Sequence, residues 1–351
     1  MPDETLDSLT EEAHDLLTDA SSLRRDLHRW PEQGNDNPVT RDRILEALEP
    51  LGLTVTLHET TSGIGALLTG GRAGPTVLLR ADTDALPMPE DTGLDFSSRV
   101  EGAMHACGHD THVAMLAGAA RLLAARRGAL AGRVLFMFQP GEEGHHGARY
   151  MLNEGLLDVP PLADGTPSPI TGAFALHTTA ALNTGWISSR QGPIMASADR
   201  MLITVTGRGG HASEPFRALD PIPIACEIVQ ALQMMVTRRI DVFDPTVVTV
   251  GRISAGTTNN VIPETAEIEG TIRAVSERTR TKVHDAIRRV AEGIATAHEA
   301  EASVEIEYGY PVTVNSNDMA SFALDVAREV AGADKTVQLP HPIMGAEDFS
   351  Y

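Results

Sequence analysis

The chain has 351 residues, enough for two ordinary domains with proper cores, and 42% hydrophobic content, which is that of a soluble globular protein. With 48 acidic against 28 basic residues its net charge is −20, which excludes nucleic acid and anionic membrane as natural partners. The amino terminus is acidic and lacks the basic and apolar regions of a signal peptide, and no apolar run approaches the roughly 20 residues that span a bilayer. A cytoplasmic protein is expected, in which the two cysteines, Cys107 and Cys226, are reduced.

Leucines at helical spacing over residues 5 to 30 predict a first helix, closed by Trp30-Pro31. A second helix follows from Thr40 to Leu51, then short strands at Thr54–Leu57, Gly65–Leu68 and Thr76–Leu79. The last discharges into Arg80-Ala81-Asp82-Thr83-Asp84, acidic residues at the carboxyl end of a buried strand, where open α/β sheets place ligand sites. Asp82 or Asp84 can ligate a metal or orient a ligand; either can equally cap a turn.

Next comes Met104-His105-Ala106-Cys107-Gly108-His109-Asp110-Thr111-His112. A thiol and an imidazole two residues apart can aim at one ion, and thiolate with imidazole suits a borderline metal such as zinc. Asp110 or Thr111 is expected to cap a helix running to Arg127-Gly128, so the Cys-Gly-His segment lies at a helix amino terminus, where the dipole favours the thiolate. Arg133–Phe138 reads as a central strand ending on Gln139-Pro140-Gly141-Glu142-Glu143. Adjacent carboxylates can divide labour there, one as ligand and one as general base. A Pro- and Gly-rich loop over residues 158 to 172 precedes a strand at Ala173–Leu176 ending on His177. Three successive strand ends therefore carry candidate ligands: Asp82/Asp84, Glu142/Glu143 and His177.

From residue 198 the pattern becomes strand, helix, strand, strand, helix, strand, a βαββαβ split of ferredoxin-like type inserted into the first domain. The expected boundaries are 188–308 for the insert, and 1–187 with 309–351 for the catalytic domain. Inside the insert, His211 lies on a Gly-rich turn and Asn259-Asn260 on another. There is no phosphate-cradling loop and no Gly-x-Ser-x-Gly elbow.

In this order, RADTDALP, HACGHDTH, FQPGEEG, ALH, GRGGHAS, TNNVIPE, GTIR and GAEDFSY resemble the aminoacylase and carboxypeptidase superfamily of dinuclear metallohydrolases. The branch they are most similar to is that of amidohydrolases, which includes hippurate hydrolase, bacterial N-acyl-amino-acid amidohydrolases and plant indoleacetyl-amino-acid hydrolases. The resemblance implies an α/β fold, a mixed-sheet catalytic domain of phosphorylase/hydrolase type with a ferredoxin-like lid and dimerisation domain. It implies two divalent ions (Mn, Zn, Co or Ni) held by Cys107, His109, Glu143 and His177, with Glu142 as general base and Asp84 orienting a ligand. His211 and Asn260 resemble lid residues that reach the substrate carbonyl, often from the partner subunit of a dimer, and Arg273 the arginine that holds the substrate carboxylate. The activity implied is cleavage of N-acyl amino acids to carboxylate and free amino acid. A carboxypeptidase or dipeptidase with the same apparatus is the alternative.

The sequence departs from that branch in three places. A fifth ligand, a histidine near a carboxyl-terminal His-His-x-x-x-Phe segment, is expected, and the residues up to Tyr351 do not contain it. A catalytic domain truncated at its carboxyl end is therefore expected, and an inactive metal- or ligand-binding paralogue is the third reading. His145-His146 stand where the family has small residues, and Asn37 where an acidic residue is expected.

Overall fold

The computed structural model describes residues 6–351, and the first residue of the helix predicted over 5–30 lies outside them. The chain divides into two compact units, residues up to Ser188 with Phe322–Val337, and Ser189–Ser321 with Gln338–Tyr351.

The first unit opens with α1 (Leu6–Asp15) and α2 (Leu17–Arg29), where one helix is predicted; the helical run breaks for a single residue at Leu16. Helix α3 (Pro38–Leu48) begins with proline in its first turn, where the missing N–H costs nothing, and a short 3-10 turn at Glu49–Leu51 completes the predicted second helix. Strands β1 (Thr54–Leu57), β2 (Ile64–Thr69), β3 (Arg72–Asp82), β4 (Ala131–Gln139) and β5 (Ile170–Ala175) form one sheet in the order β1-β2-β4-β3-β5. The pairs β1–β2 and β2–β4 are antiparallel, whereas β4–β3 and β3–β5 are parallel. Helix α4 (His109–Ala125) provides the crossover from β3 to β4. Three neighbouring parallel strands place three carboxyl ends on one edge of the sheet, which is why the predicted strand-end residues meet. Leu27, Ile44, Ile64, Leu68, Val113, Phe136 and Phe138 form the core beneath that edge. Burying each such side chain stabilises by roughly 1.5–3 kcal/mol. A short helix α5 (Gly147–Asn153) follows β4.

A short strand β6 (Ile187–Ser189) precedes the second unit, which contains β7 (Gly192–Met195), β8 (Asp199–Thr206), β9 (Gly210–His211), α6 (Pro221–Arg239), β10 (Thr246–Ala255), β11 (Val261–Ile262), β12 (Thr265–Ala274), α7 (Glu277–Ala297), β13 (Glu301–Tyr308) and β14 (Thr313–Asn315). Its main sheet is antiparallel in the order β10-β12-β8-β13, the split-βαβ arrangement that the alternation of elements predicts. Both helices start on side-chain caps: the Asp220 carboxylate accepts from Ile222 N–H and the Ser276 hydroxyl from Thr279 N–H. Their apolar faces, with Ile224, Ile228, Leu232, Val283 and Ile287, cover Met201, Ile203, Val205 and Ile268 of the sheet. At one end, buried Asp199 accepts from Arg280, His284 and Gly309 N–H, so its carboxylate is fully paired. Helix α8 (Asn317–Ala331) and strand β15 (Thr336–Gln338) complete the described elements. No helix among the described residues is long and apolar enough to cross a membrane.

Candidate metal centre

The carboxyl ends of β3, β4 and β5 and the first turn of α4 bring together Asp82, Asp84, Cys107, His109, Glu142, Glu143 and His177. The α4 start differs from expectation. Gly108 caps the helix with a left-handed backbone (φ 89°), and neither Asp110 nor Thr111 is the cap. Asp110 instead turns inward, where it accepts from His28 Nδ1 at 2.7 Å and pairs with Arg24 at the same distance. The left-handed residue lets the chain reverse between Cys107 and His109, so that both side chains reach one place. Glycine adopts this conformation without the penalty that a Cβ imposes.

Ligand-atom positions of Cys107, His109 and Glu143 all lie within 4.8 Å of one another, as do those of Asp82, His109, His112 and His177. The orientation of two rings is set by backbone carbonyls. His109 Nδ1 lies 2.8 Å from the Asp84 carbonyl oxygen and His177 Nδ1 lies 2.5 Å from that of Thr178. A carbonyl can only accept, so each ring donates from Nδ1 and turns its Nε2 inward. His177 Nε2 stands 3.4 Å from Cys107 Sγ. His109 Nε2 is buried with no hydrogen-bond partner of normal geometry; oxygens of Asp82 and Glu143 stand at 3.6 and 4.0 Å. A buried ring nitrogen without a hydrogen-bond partner among a thiol and carboxylates fits a divalent cation, which would take the place of the proton there.

The electrostatics agree with that fit. Burial pushes the Cys107 thiol up, but contacts with His109 and His177 more than offset this and hold it below the usual thiol range. Burial also opposes a charge on His109, yet Asp82, Asp84 and Cys107 push its pKa up to about 12, and His177 is pushed up to about 9, chiefly by Cys107 against burial. Burial raises the Glu143 carboxyl above its ordinary range, against the pull of His109. Carboxylates and a thiol that favour positive charge on their neighbours suit a cation.

Asp84 acts on the loop after β4. Its two carboxylate oxygens accept the backbone N–H groups of Glu142 and Glu143 at 2.9 and 3.1 Å, while its carbonyl orients His109. One residue therefore aligns the helix and the strand-end loop. Asp84→Ala should leave two N–H groups unpaired in a buried setting, costing about 1–3 kcal/mol each. Urea unfolding should show that loss of stability together with reduced turnover; a variant with unchanged stability would leave Asp84 no role in holding the loop.

Asp82 is also buried. Burial pushes its carboxyl up, but Arg80, His109 and His112 together hold it well below the usual range. Arg80 reaches it at 2.6 Å and is itself held by Gln139. No local pattern points to Arg80 or His112; the contacts of Arg80 with Gln139 and of His112 with Asp82, across 59 and 30 residues, reveal them. His146 adopts a left-handed backbone (φ 58°) where α5 begins. Neither it nor His145 belongs to the donor groupings among the described residues.

In the second unit, β9 and β11 pair His211 with Val261, and Ala212 N–H donates to the Asn260 carbonyl at 3.1 Å, so His211 and Asn260 are neighbours. Arg273 lies opposite Val247 near the far end of β12, which begins at Thr265. At about 3.3 Å per strand residue it stands roughly 26 Å along the strand from Thr265.

This fold and these donors are those of a metal-binding hydrolase, and comparison with known proteins agrees. Residues 78–351 match the model of peptidase family M20/M25/M40. A thermostable carboxypeptidase 1 from Saccharolobus solfataricus is 37% identical over 93% of this chain and 81% of its own length. An N-acetylcysteine deacetylase from Bacillus subtilis is 38% identical over 94% and 83%. The crystal structure of a dinuclear metal-binding M20 peptidase from Bacillus subtilis superposes with a TM-score of 0.80 at 36% identity, covering 95% of this chain and 84% of that one. The chain belongs to peptidase family M20/M25/M40. It is accordingly a hydrolase that acts on amide bonds.

Proposed function

We propose that this protein is a metal-dependent amidohydrolase that cleaves N-acyl amino acids to a carboxylate and a free amino acid. The observation that carries the reading is the clustering of Cys107, His109 and Glu143, joined by His177, with the buried Nε2 of His109 turned inward. The deacetylase relative supports the substrate class.

Cys107, His109, Glu143 and His177 hold the metal, for which manganese, zinc, cobalt or nickel are the candidates. When bound, two such ions supply Lewis acidity toward the scissile carbonyl and a water acidic enough to attack near neutral pH. Glu142 takes the proton of the attacking water and passes it to the departing amine, so the nitrogen leaves neutral. Asp84 keeps Glu142 and Glu143 in register by holding their backbone N–H groups. His211 and Asn260 contact the substrate carbonyl, where a donor aimed at the developing oxyanion contributes about 2.7–4 kcal/mol. Arg273 takes the substrate carboxylate. His211 pairs with Val261 ahead of β12, whereas Arg273 lies near the far end of that strand, and the two meet one small substrate as residues of two copies. A homodimer through residues 188–308 follows, and the open edge of β10, with Val247 and Ile253 exposed, supports it. Sedimentation at the mass of a monomer would remove the dimer from this reading.

Purified protein supplied with manganese, cobalt or zinc should release free amino groups from a panel of N-acetyl, N-benzoyl and N-indoleacetyl amino acids. Silence across the panel in protein shown to hold metal would sink the proposal. The carboxypeptidase relative favours a second reading, peptide cleavage by the same residues. Dipeptides cleaved faster than every acyl amino acid would establish it.

A further inference from the structure

His112 is fully enclosed, and by position it looks like one more metal donor, since its ring nitrogens fall within the group formed by Asp82, His109 and His177. Its hydrogen bonds give it a different task. The backbone N–H of Thr178 lies 2.8 Å from His112 Nε2. An amide N–H can only donate, so Nε2 accepts and its lone pair is spent. The ring proton is therefore on Nδ1, which stands 2.5 Å from the Asp82 carboxylate. His109 and His177 show the opposite arrangement, with Nδ1 tied to a carbonyl and Nε2 left over.

We propose that His112 is a positioning residue that aims His177 at the metal, and not a ligand. Thr178 is held at both backbone groups: its N–H by His112, and its carbonyl by the Nδ1–H of His177. The Thr178 hydroxyl adds contacts at 3.1 Å to His112 Nε2 and at 3.4 Å to the Cys107 carbonyl. At the other end Asp82, buried and paired with Arg80, keeps the His112 ring from turning. The chain Arg80–Asp82–His112–Thr178 thereby links the carboxyl end of β3 to the segment after β5 through the first turns of α4. Without it, the Thr178 peptide against which His177 is set keeps only the long hydroxyl contact to the Cys107 carbonyl. The inference rests on the reading of Cys107, His109, Glu143 and His177 as ligands.

The test uses the whole native chain, labelled with ¹⁵N-histidine and loaded with ¹¹³Cd. Scalar coupling to cadmium should appear at the Nε2 of His109 and His177 and be absent at His112, whose Nδ1 should carry a proton. Coupling at His112 overturns the inference alone. Protein that takes up no cadmium overturns the ligand reading and this inference with it. Two variants separate the arms of the ring. In His112→Asn the short amide can donate to Asp82 but falls short of Thr178, and metal affinity should drop about 10–100-fold, as for other groups that orient a metal-bound histidine. His112→Gln places a carbonyl where Nε2 was and should recover most of that loss, and the ligand-field bands of the cobalt-loaded protein should stay in place in both. Parent-like affinity in the asparagine variant, or bands shifted in both variants as for a lost nitrogen donor, would overturn the proposal.

Discussion

Cys107→Ser should lose metal and with it hydrolysis, while the fold persists. The serine hydroxyl stays protonated at neutral pH and is a harder, weaker donor than a thiolate. In the native protein the thiol is already drawn below its ordinary range by His109 and His177, and it stands 3.4 Å from His177 Nε2. Removing it takes away the softest member of the donor set. Lewis-acid stabilisation of several kcal/mol corresponds to roughly 10³-fold or more in rate, so turnover should fall to background. Metal content per chain, measured after dialysis, should fall in parallel. Circular dichroism should barely move, and the thermal midpoint should match that of the metal-free parent, because the side chain is only part-buried and the change in volume is small. A serine variant with full metal and full rate would remove Cys107 from the ligand set.

Glu142→Gln should separate chemistry from metal binding. The substitution keeps the side-chain shape and leaves the backbone N–H on Asp84, so the loop after β4 should not shift. What it removes is the group able to accept a proton from water and return it to the amine. General acid–base catalysis contributes about 10²–10⁴-fold, and kcat should fall by that factor with KM little changed. Metal content should remain that of the parent. The neighbouring Glu143→Gln should behave differently and lower metal content, because Glu143 belongs to the donor group with Cys107 and His109. A Glu142→Gln protein that keeps its rate within a few-fold, or that loses metal, would remove Glu142 from the role of base.

The contrast between these neighbours shows how far the residues alone lead. The Glu-Glu pair after a five-residue apolar run is visible as a strand-end feature, and so are Asp82, Asp84 and His177, because buried parallel strands read as continuous apolar segments that end on polar residues. Which carboxylate of the pair lies beside His109 and Cys107 is visible only in the fold, and it is Glu143. The start of α4 eluded the pattern for a related reason. Asp and Thr are favoured caps, but Asp110 is drawn inward by His28 and Arg24, 82 and 86 residues earlier, and Gly108 takes the cap with a left-handed backbone instead. Local propensity yields where a buried ion pair competes for the same side chain.

The amino-acid sequence by itself determined the mixed α/β class, the strands whose ends carry Asp84, Glu142, Glu143 and His177, and the βαββαβ order of the second unit. These depend on hydrophobic period and on breakers, which are local properties. Tertiary structure alone decided which nitrogen of each imidazole is turned inward, that Asp84 holds the Glu142–Glu143 loop through two backbone N–H groups, and that His112 is committed to Asp82 and Thr178. Apart from the ring of His177, set by the neighbouring Thr178 carbonyl, each of those outcomes depends on a partner 25 to 66 residues away. Hydrogen bonds at that separation leave no period in a sequence, and they form only when the sheet brings its strand ends to one edge.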